Sequence, residues 1–253
     1  MTPSLAYSTP AAVAAFLPDV DYFKRPEVSN SDLSWLKLTL LSTEEQKDFT
    51  NAYRMGTLID AMITEPHLID YYKFTCNGEQ YTREEFALCE LMKKAFRNDE
   101  FCTGLLRQST GQKVFSGNVQ FNYCGVVFSL LMRCKYDLWS DILRWGGDIK
   151  STTATSQKQF EEAVRYFDYD RQRVGYMEQS GASRDMIIGI SKVNFKIFKV
   201  PVMRGSDLWQ SGMDKLNDLA FRWYCLFEDT EQAQNLMIAS HDKEHDIIIV
   251  EGK

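Results

Sequence analysis

The stretch Lys135–Thr153, KYDLWSDILRWGGDIKSTT, decides how this chain is read. It places Asp137 in one apolar-flanked segment and Asp148-Ile149-Lys150 in the next. A strand alternates its side chains between faces, so Asp148 and Lys150 point to one side and Ile149 turns to the core. Asp137 joins them if the two segments pair. Two acids and a lysine so arranged suit a hard divalent cation, which takes oxygen ligands and keeps several waters. That leaves room for a phosphate oxygen and an attacking water, which the lysine steers or polarises while it offsets charge on phosphorus.

On the N-terminal side of this stretch, helical periodicity gives way to alternation at Gln112. KVFSGNVQFNY and GVVFSLLMRCKYDLW carry the β-branched and aromatic residues of strands, with turn-forming chemistry at Asn122 to Gly125. Ile142 to Lys150 supplies a third strand, in which Gly146-Gly147 permits a bend or a close backbone approach before Asp148. The expectation is a three-stranded meander with the acids and the lysine on its inner strands. A surface hairpin with coincidental acids would give the same local pattern.

On the C-terminal side, Ser156 caps one long predicted helix from about Gln157 to Gln179. Phe160, Val164, Phe167 and Tyr176 pack it on the sheet, and Arg165, Arg171 and Arg173 are placed to face a nucleic-acid backbone. Gln172 and Tyr176, four residues apart, share a face. Tyr176 reads equally as a packed aromatic with a polar tip. Two more strands follow, Asp185 to Ser191 and Asn194 to Val202, turning near Val193-Asn194. A helix opening at Ser206 or Asp207 covers the sheet through Leu208, Met213, Leu216, Leu219, Ala220, Trp223 and Leu226. Within Glu228 to Lys253, Ile247 to Val250 reads as an edge strand.

Residues before the meander read as helices. Met1 to about Pro26 is an arm. Ser29 to Asp32 offers caps for a helix with Leu33, Trp35, Leu36 and Leu40 inward. A second helix begins at Ser42 to Glu45, runs through Tyr53 and Asp60 to Ile63 and stops near Glu65-Pro66. Thr82 to Arg97 is amphipathic, with Phe86, Leu88, Cys89, Met92 and Phe96 on its apolar face, and Asp99 to Leu106 adds a short helical turn.

Bulk properties exclude several classes. At 253 residues, 44% hydrophobic and 13% aromatic, the chain is long enough for one sizeable core. No apolar run approaches the roughly 20 residues of a membrane span, and no basic-then-apolar leader opens the sequence, so a cytoplasmic address without membrane contact is expected. The six cysteines form no CxxC pair, which disfavours zinc ribbons and iron–sulfur ligation and predicts reduced, mostly buried thiols. His67 is the only histidine before His241, which argues against Ser-His-Asp or Cys-His catalysis, because such a nucleophile needs a paired base. The net charge of −6 counts against a nucleic-acid partner, yet Leu91 to Arg204 holds 18 Lys+Arg against 11 Asp+Glu. A phosphate-binding face and an ordinary mixed surface both fit that distribution.

The acid on one segment and acid-x-lysine on the next resemble the PD-(D/E)xK nuclease superfamily. Four segments in order resemble its RecE-type (exonuclease VIII) branch: VSNSDLSWLK at Val28 to Lys37, GTLIDAMITEP at Gly56 to Pro66, RCKYDLW with DIKSTT between Arg133 and Thr153, and YDRQRVGY at Tyr169 to Tyr176. The resemblance implies an α/β fold with a restriction-endonuclease-like core, a mixed central sheet flanked by helices. It implies one nuclease domain over residues 1–253, with an arm (1–27), a helical portion (28–110), a catalytic core (111–228) and a tail (229–253). It implies a Mg²⁺- or Mn²⁺-dependent exodeoxyribonuclease acting on double-stranded DNA ends, 5′-to-3′, in phage-type recombination, as a homo-oligomeric ring with a single-strand-annealing protein as partner. Catalytic positions would be Asp137, Asp148, Lys150, Gln172 and Tyr176, and the metal would be held by Asp60, Asp137, Asp148 and Ile149. Gln172 would bond the scissile phosphate or a sugar, and Tyr176 would orient the lysine or a phosphate. Where the family's GTLxH pattern has histidine this chain has Asp60, which either completes an all-oxygen shell or marks a catalytically silent relative that binds DNA or protein.

Overall fold

A computed structural model describes Tyr22, residues 25–41 and residues 50–228. The expected start of the second helix, most of the arm and the edge strand at Ile247 to Val250 lie outside the described residues. Helices α1 (Asn30–Leu41) and α2 (Thr50–Thr64) come first, followed by a small antiparallel sheet of β1 (Ile69–Asp70), β2 (Thr75–Cys76) and β3 (Glu79–Gln80). Helices α3 (Arg83–Asn98) and α4 (Glu100–Arg107) lead into β4 (Thr110–Tyr123), β5 (Val126–Ser140) and β6 (Trp145–Thr152). Then come α5 (Gln157–Tyr166), α6 (Tyr169–Ser180), β7 (Arg184–Ser191), β8 (Ile197–Met203) and α7 (Asp207–Trp223).

The helices begin where the sequence supplies caps. Thr82 accepts from the Glu85 N–H while the Glu85 carboxylate accepts from the Thr82 N–H, a reciprocal capping box that opens α3. Ser156 and Ser206 cap α5 and α7 through their hydroxyls. Phe86, Cys89, Met92 and Phe96 are buried, which bears out the apolar stripe of α3.

The five larger strands form one sheet in chain order, β4-β5-β6-β7-β8. All neighbours are antiparallel except β6 and β7, which run parallel with Asp148 opposite Ile187 and Lys150 opposite Gly189. The parallel pair requires a crossover, and α5 and α6 provide it. One face of the sheet packs on α5, α6 and α7 through Phe160, Val164, Val174, Met177, Leu216 and Ala220. The other packs on α2, α3 and α4, where Leu58, Ile59 and Met62 meet Leu138, Ile149, Ile188 and Ile190. The expected α/β architecture, the meander and the turn at Cys124-Gly125 are all present.

Several expectations need correction. Phe167, expected to pack on the sheet, is 46% exposed between α5 and α6, and the last strand begins at Ile197 rather than Asn194. The third strand starts at Trp145 rather than Ile142, which is 84% exposed in the preceding turn. The long helix predicted from Gln157 to Gln179 is two helices. Asp168 takes a left-handed conformation (φ 55°) between them, and its carboxylate is held by Lys37 at 2.5 Å and Lys215 at 3.0 Å. Ion pairs from α1 and α7 therefore compensate a backbone turn that a non-glycine residue disfavours. In α1, Leu33 and Leu36 are buried, but Trp35 (54%) and Leu40 (48%) are exposed, so the buried stripe is narrower than the apolar pattern. Arg171 and Arg173 are buried, so neither faces a nucleic-acid backbone; only Arg165 of the three is exposed.

Candidate active site

The site forms where β5 and β6 part. Their register runs from Ser140↔Trp145 to Leu138↔Gly147 and stops there. Further back along β5, the segment at Val28 takes over as partner: the Val28 N–H donates to Leu131 O, and the Arg133 N–H to Val28 O, both at 2.9 Å. At the fork the Ile149 N–H has lost its backbone acceptor, and Asp137 Oδ2 accepts from it at 2.7 Å. A buried amide left unpaired costs free energy comparable to a lost hydrogen bond, so this contact fixes Asp137 beside the DIK strand. Close approach at the fork also needs Gly146, where a Cβ would meet Leu138 O at 2.4 Å and the Tyr136 ring at 2.5 Å.

Asp148 and Lys150 share a side as strand alternation requires, with Lys150 Nζ 2.7 Å from Asp148 Oδ2. Ile149 is buried against the α2–α4 side of the sheet. Its apolar side chain has no donor atom, so only its backbone carbonyl can serve a metal. From α2, Asp60 enters the same neighbourhood; its Oδ2 accepts from Gln112 Nε2 at 2.9 Å and its Oδ1 from Thr64 Oγ1 at 3.3 Å. Gln112 reaches it from near the start of β4, with φ at 54°. Sequence reasoning missed Gln112, and nothing in the local pattern marks it.

Crowding of carboxylates shows in their protonation. Burial, and then the nearby Asp60 and Asp148, push the Asp137 carboxyl well above the usual range. Burial pushes Asp60 up to about 6, with Asp148 adding to the shift and the Gln112 hydrogen bond opposing it. Although burial opposes the charge on Lys150, Asp148 and Asp137 hold its ammonium above the ordinary lysine value.

A second cation was also missed as part of the site. Arg173 of α6 is fully buried and donates from Nη1 to Asp148 Oδ1 at 2.9 Å, and from Nε and Nη2 to Asp185 Oδ2 at 2.9 and 2.7 Å. Burial opposes that charge, but Asp185 and Asp148 hold the guanidinium protonated, well above its ordinary range. Asp185 opens β7 directly beside β6, opposite Gly146. An acid heading an apolar strand was the available signal.

Gln172 and Tyr176 do lie together, Gln172 Nε2 donating to the Tyr176 hydroxyl at 3.5 Å. Tyr176 is buried, 5.3 Å from the Tyr136 ring, with the Arg173 guanidinium 4.3 Å from its own ring centroid. Its packing is that of a core aromatic whose polar tip meets Gln172. Tyr169, one helical turn before Arg173, carries Lys150 Nζ 5.0 Å from its ring centroid.

The donor set fits a hard divalent cation in kind: Asp60, Asp137 and Asp148 are carboxylates that repel one another, and the Ile149 carbonyl is a further oxygen. Each carboxylate already has a protein partner, and among the described residues no three acidic, histidine or cysteine side chains are drawn tightly enough to ring an ion. Five of the six cysteines are buried, and all six are free thiols. His67 is exposed on the short helical turn after α2. Among the described residues no helix is long and apolar enough to cross a membrane.

The solved structures that resemble the chain include a protein from Eubacterium rectale named provisionally as an exonuclease, 18% identical over 72% of this chain and 68% of its own, with a TM-score of 0.46. Another is a phage-related exonuclease from Haemophilus somnus 129PT, 14% identical over 78% of this chain and 93% of its own, with a TM-score of 0.38. A comparison with curated proteins found no match. A family model matches residues 37–226, from within α1 to just past α7: the chain belongs to the PDDEXK-like domain family of unknown function DUF3799.

Proposed function

We propose that the chain is a Mg²⁺- or Mn²⁺-dependent exodeoxyribonuclease that hydrolyses phosphodiesters from double-stranded DNA ends, 5′-to-3′ as in RecE-type enzymes. The observation that carries this reading is the convergence of Asp137, Asp148 and Lys150 at the fork between β5 and β6. Asp60, Asp137, Asp148 and the Ile149 carbonyl would hold the cation, which when bound neutralises charge at a phosphate oxygen. Lys150 steers the attacking water and offsets charge that builds on the phosphorus. Gln172 bonds the phosphate or an adjacent sugar, and Tyr176 keeps Gln172 in place. Phage-type recombination, a ring-shaped homo-oligomer and an annealing partner belong to the same reading through the RecE resemblance.

One observation favours a second reading, a catalytically silent relative that binds DNA. Both Asp148 oxygens already face cations, Arg173 on Oδ1 and Lys150 on Oδ2. Incubation of linear and covalently closed circular duplexes with Mg²⁺ or Mn²⁺ separates the two. Loss of the linear form alone, with mononucleotides released first from the 5′-labelled strand, supports the exonuclease. Duplex binding without release of nucleotides supports the silent relative.

A further inference from the structure

A line of aromatic rings leads out of the site, and the hydrolytic chemistry does not use it. It begins at Tyr169, whose ring lies against Lys150. Phe167 stacks next, with centroids 5.7 Å apart and planes 25° from parallel, and Tyr166 meets Phe167 edge-on at 4.9 Å. Tyr169 is half-buried, but Phe167 is 46% and Tyr166 70% exposed. Rings so open to water gain little from folding.

These rings occupy the corner between α5 and α6, and ion pairs tie that corner to α1 and α7. Asp168 holds its left-handed conformation between Phe167 and Tyr169 because Lys37 and Lys215 clamp its carboxylate. The strained turn projects the neighbouring rings at a fixed angle. Cations accompany them: Lys150 at the inner end, Arg165 exposed on α5, and Lys37 with 44% of its side chain exposed.

A further exposed ring comes from α2. Tyr53, 71% exposed, sits seven residues before Asp60 on α2 and so on the same helix face, near the Tyr169 hydroxyl. Between Tyr53 and Asp60 lies Gly56. A Cβ there would meet nothing within 4 Å among the described residues, so packing against them does not explain a helical glycine that costs about 1 kcal/mol.

We propose that Tyr169, Phe167 and Tyr166 form a stacking platform for the unpaired bases of a single-stranded DNA overhang whose end lies beside Lys150. Every base presents a π-face, so such a platform is tolerant of sequence, and nearby cations track the backbone. The proposal rests on the nuclease reading for its DNA substrate, but it concerns bases, whereas the acids and Lys150 address the phosphodiester.

The test uses the full chain with EDTA, so that nothing is cleaved, and fluorescence anisotropy on three duplexes: blunt, with a single-stranded overhang, and with an abasic overhang of the same length. The overhang should tighten binding about tenfold to a hundredfold over the blunt duplex, and the abasic overhang should not. Tyr166→Ala/Phe167→Ala should erase the preference and leave blunt-end affinity unchanged. The abasic arm decides the matter even if that variant fails to fold. Equal binding of blunt and overhang duplexes, an equal gain from the abasic overhang, or a preference that survives in a folded variant would each overturn the platform. Hydrolysis of a blunt duplex in Mg²⁺ is read separately, so a dead enzyme with an intact base preference removes the nuclease reading alone.

Discussion

Asp137 stands in for a strand: its carboxylate accepts the Ile149 N–H at 2.7 Å where the β5–β6 ladder has ended. The same contact closes the fork and brings an acid to the DIK segment, so fold and candidate site share one hydrogen bond. The fork itself depends on close packing at glycines. Gly146→Ala would drive a methyl group into the Tyr136 ring and the Leu138 carbonyl, and Gly189→Ala into the Phe160 ring at 2.5 Å. Each should destabilise the protein by about 1–3 kcal/mol or more, seen as a lower urea midpoint. Unchanged midpoints would mean that the strands separate more readily at the fork than this packing allows.

Arg173 ties Asp148 to Asp185 in the interior, and a buried pair broken on one side leaves an uncompensated charge. Arg173→Met should cost about 3–5 kcal/mol at neutral pH. Arg173→Lys should recover little of it, because an ammonium cannot make the guanidinium's forked contacts to both acids. Adding Asp185→Asn to Arg173→Met should restore part of the loss. Urea unfolding of the four proteins checks the series, and equal stability of wild type and Arg173→Met would contradict the network.

Asp60 gives a pH signature. Its carboxyl is raised to about 6, so between the ordinary aspartate range and that value the folded protein binds the proton more tightly than the unfolded chain. This group's contribution is therefore favourable at low pH and is lost as pH rises through 6. Asp60→Asn should stabilise the metal-free protein above pH 6, by about 1–3 kcal/mol, and change little near pH 4. Unfolding midpoints measured in EDTA at both pH values check it. An advantage of the same size at both would mean that ionisation of Asp60 is not the cause.

Much of this was legible in local sequence because its causes are local. Alternation from Gln112 to Lys150 gave the meander, the apolar stripe from Thr82, the cap at Ser156 and the opening at Ser206 gave three helix starts, and the spacing in DIK put Asp148 and Lys150 on one side. What escaped depends on partners far along the chain. The break at Asp168 is held by Lys37 and Lys215, 131 and 47 residues away. Arg173 reads as a surface cation until Asp148 and Asp185 are seen on either side of it. The contact of Gln112 with Asp60 spans 52 residues and joins a helix to a different strand. The short sheet of β1 to β3 carries too little periodicity to announce itself.

Single-turnover hydrolysis of a linear duplex in saturating Mg²⁺, by wild type and by Lys150→Ala, tests the central claim most directly. The account predicts that wild type releases nucleotides, that EDTA stops it, and that the variant binds the duplex normally yet reacts about 10²–10⁴-fold more slowly. A folded wild type that binds the duplex but releases nothing with either Mg²⁺ or Mn²⁺, or a Lys150→Ala variant that hydrolyses at the wild-type rate, would contradict it.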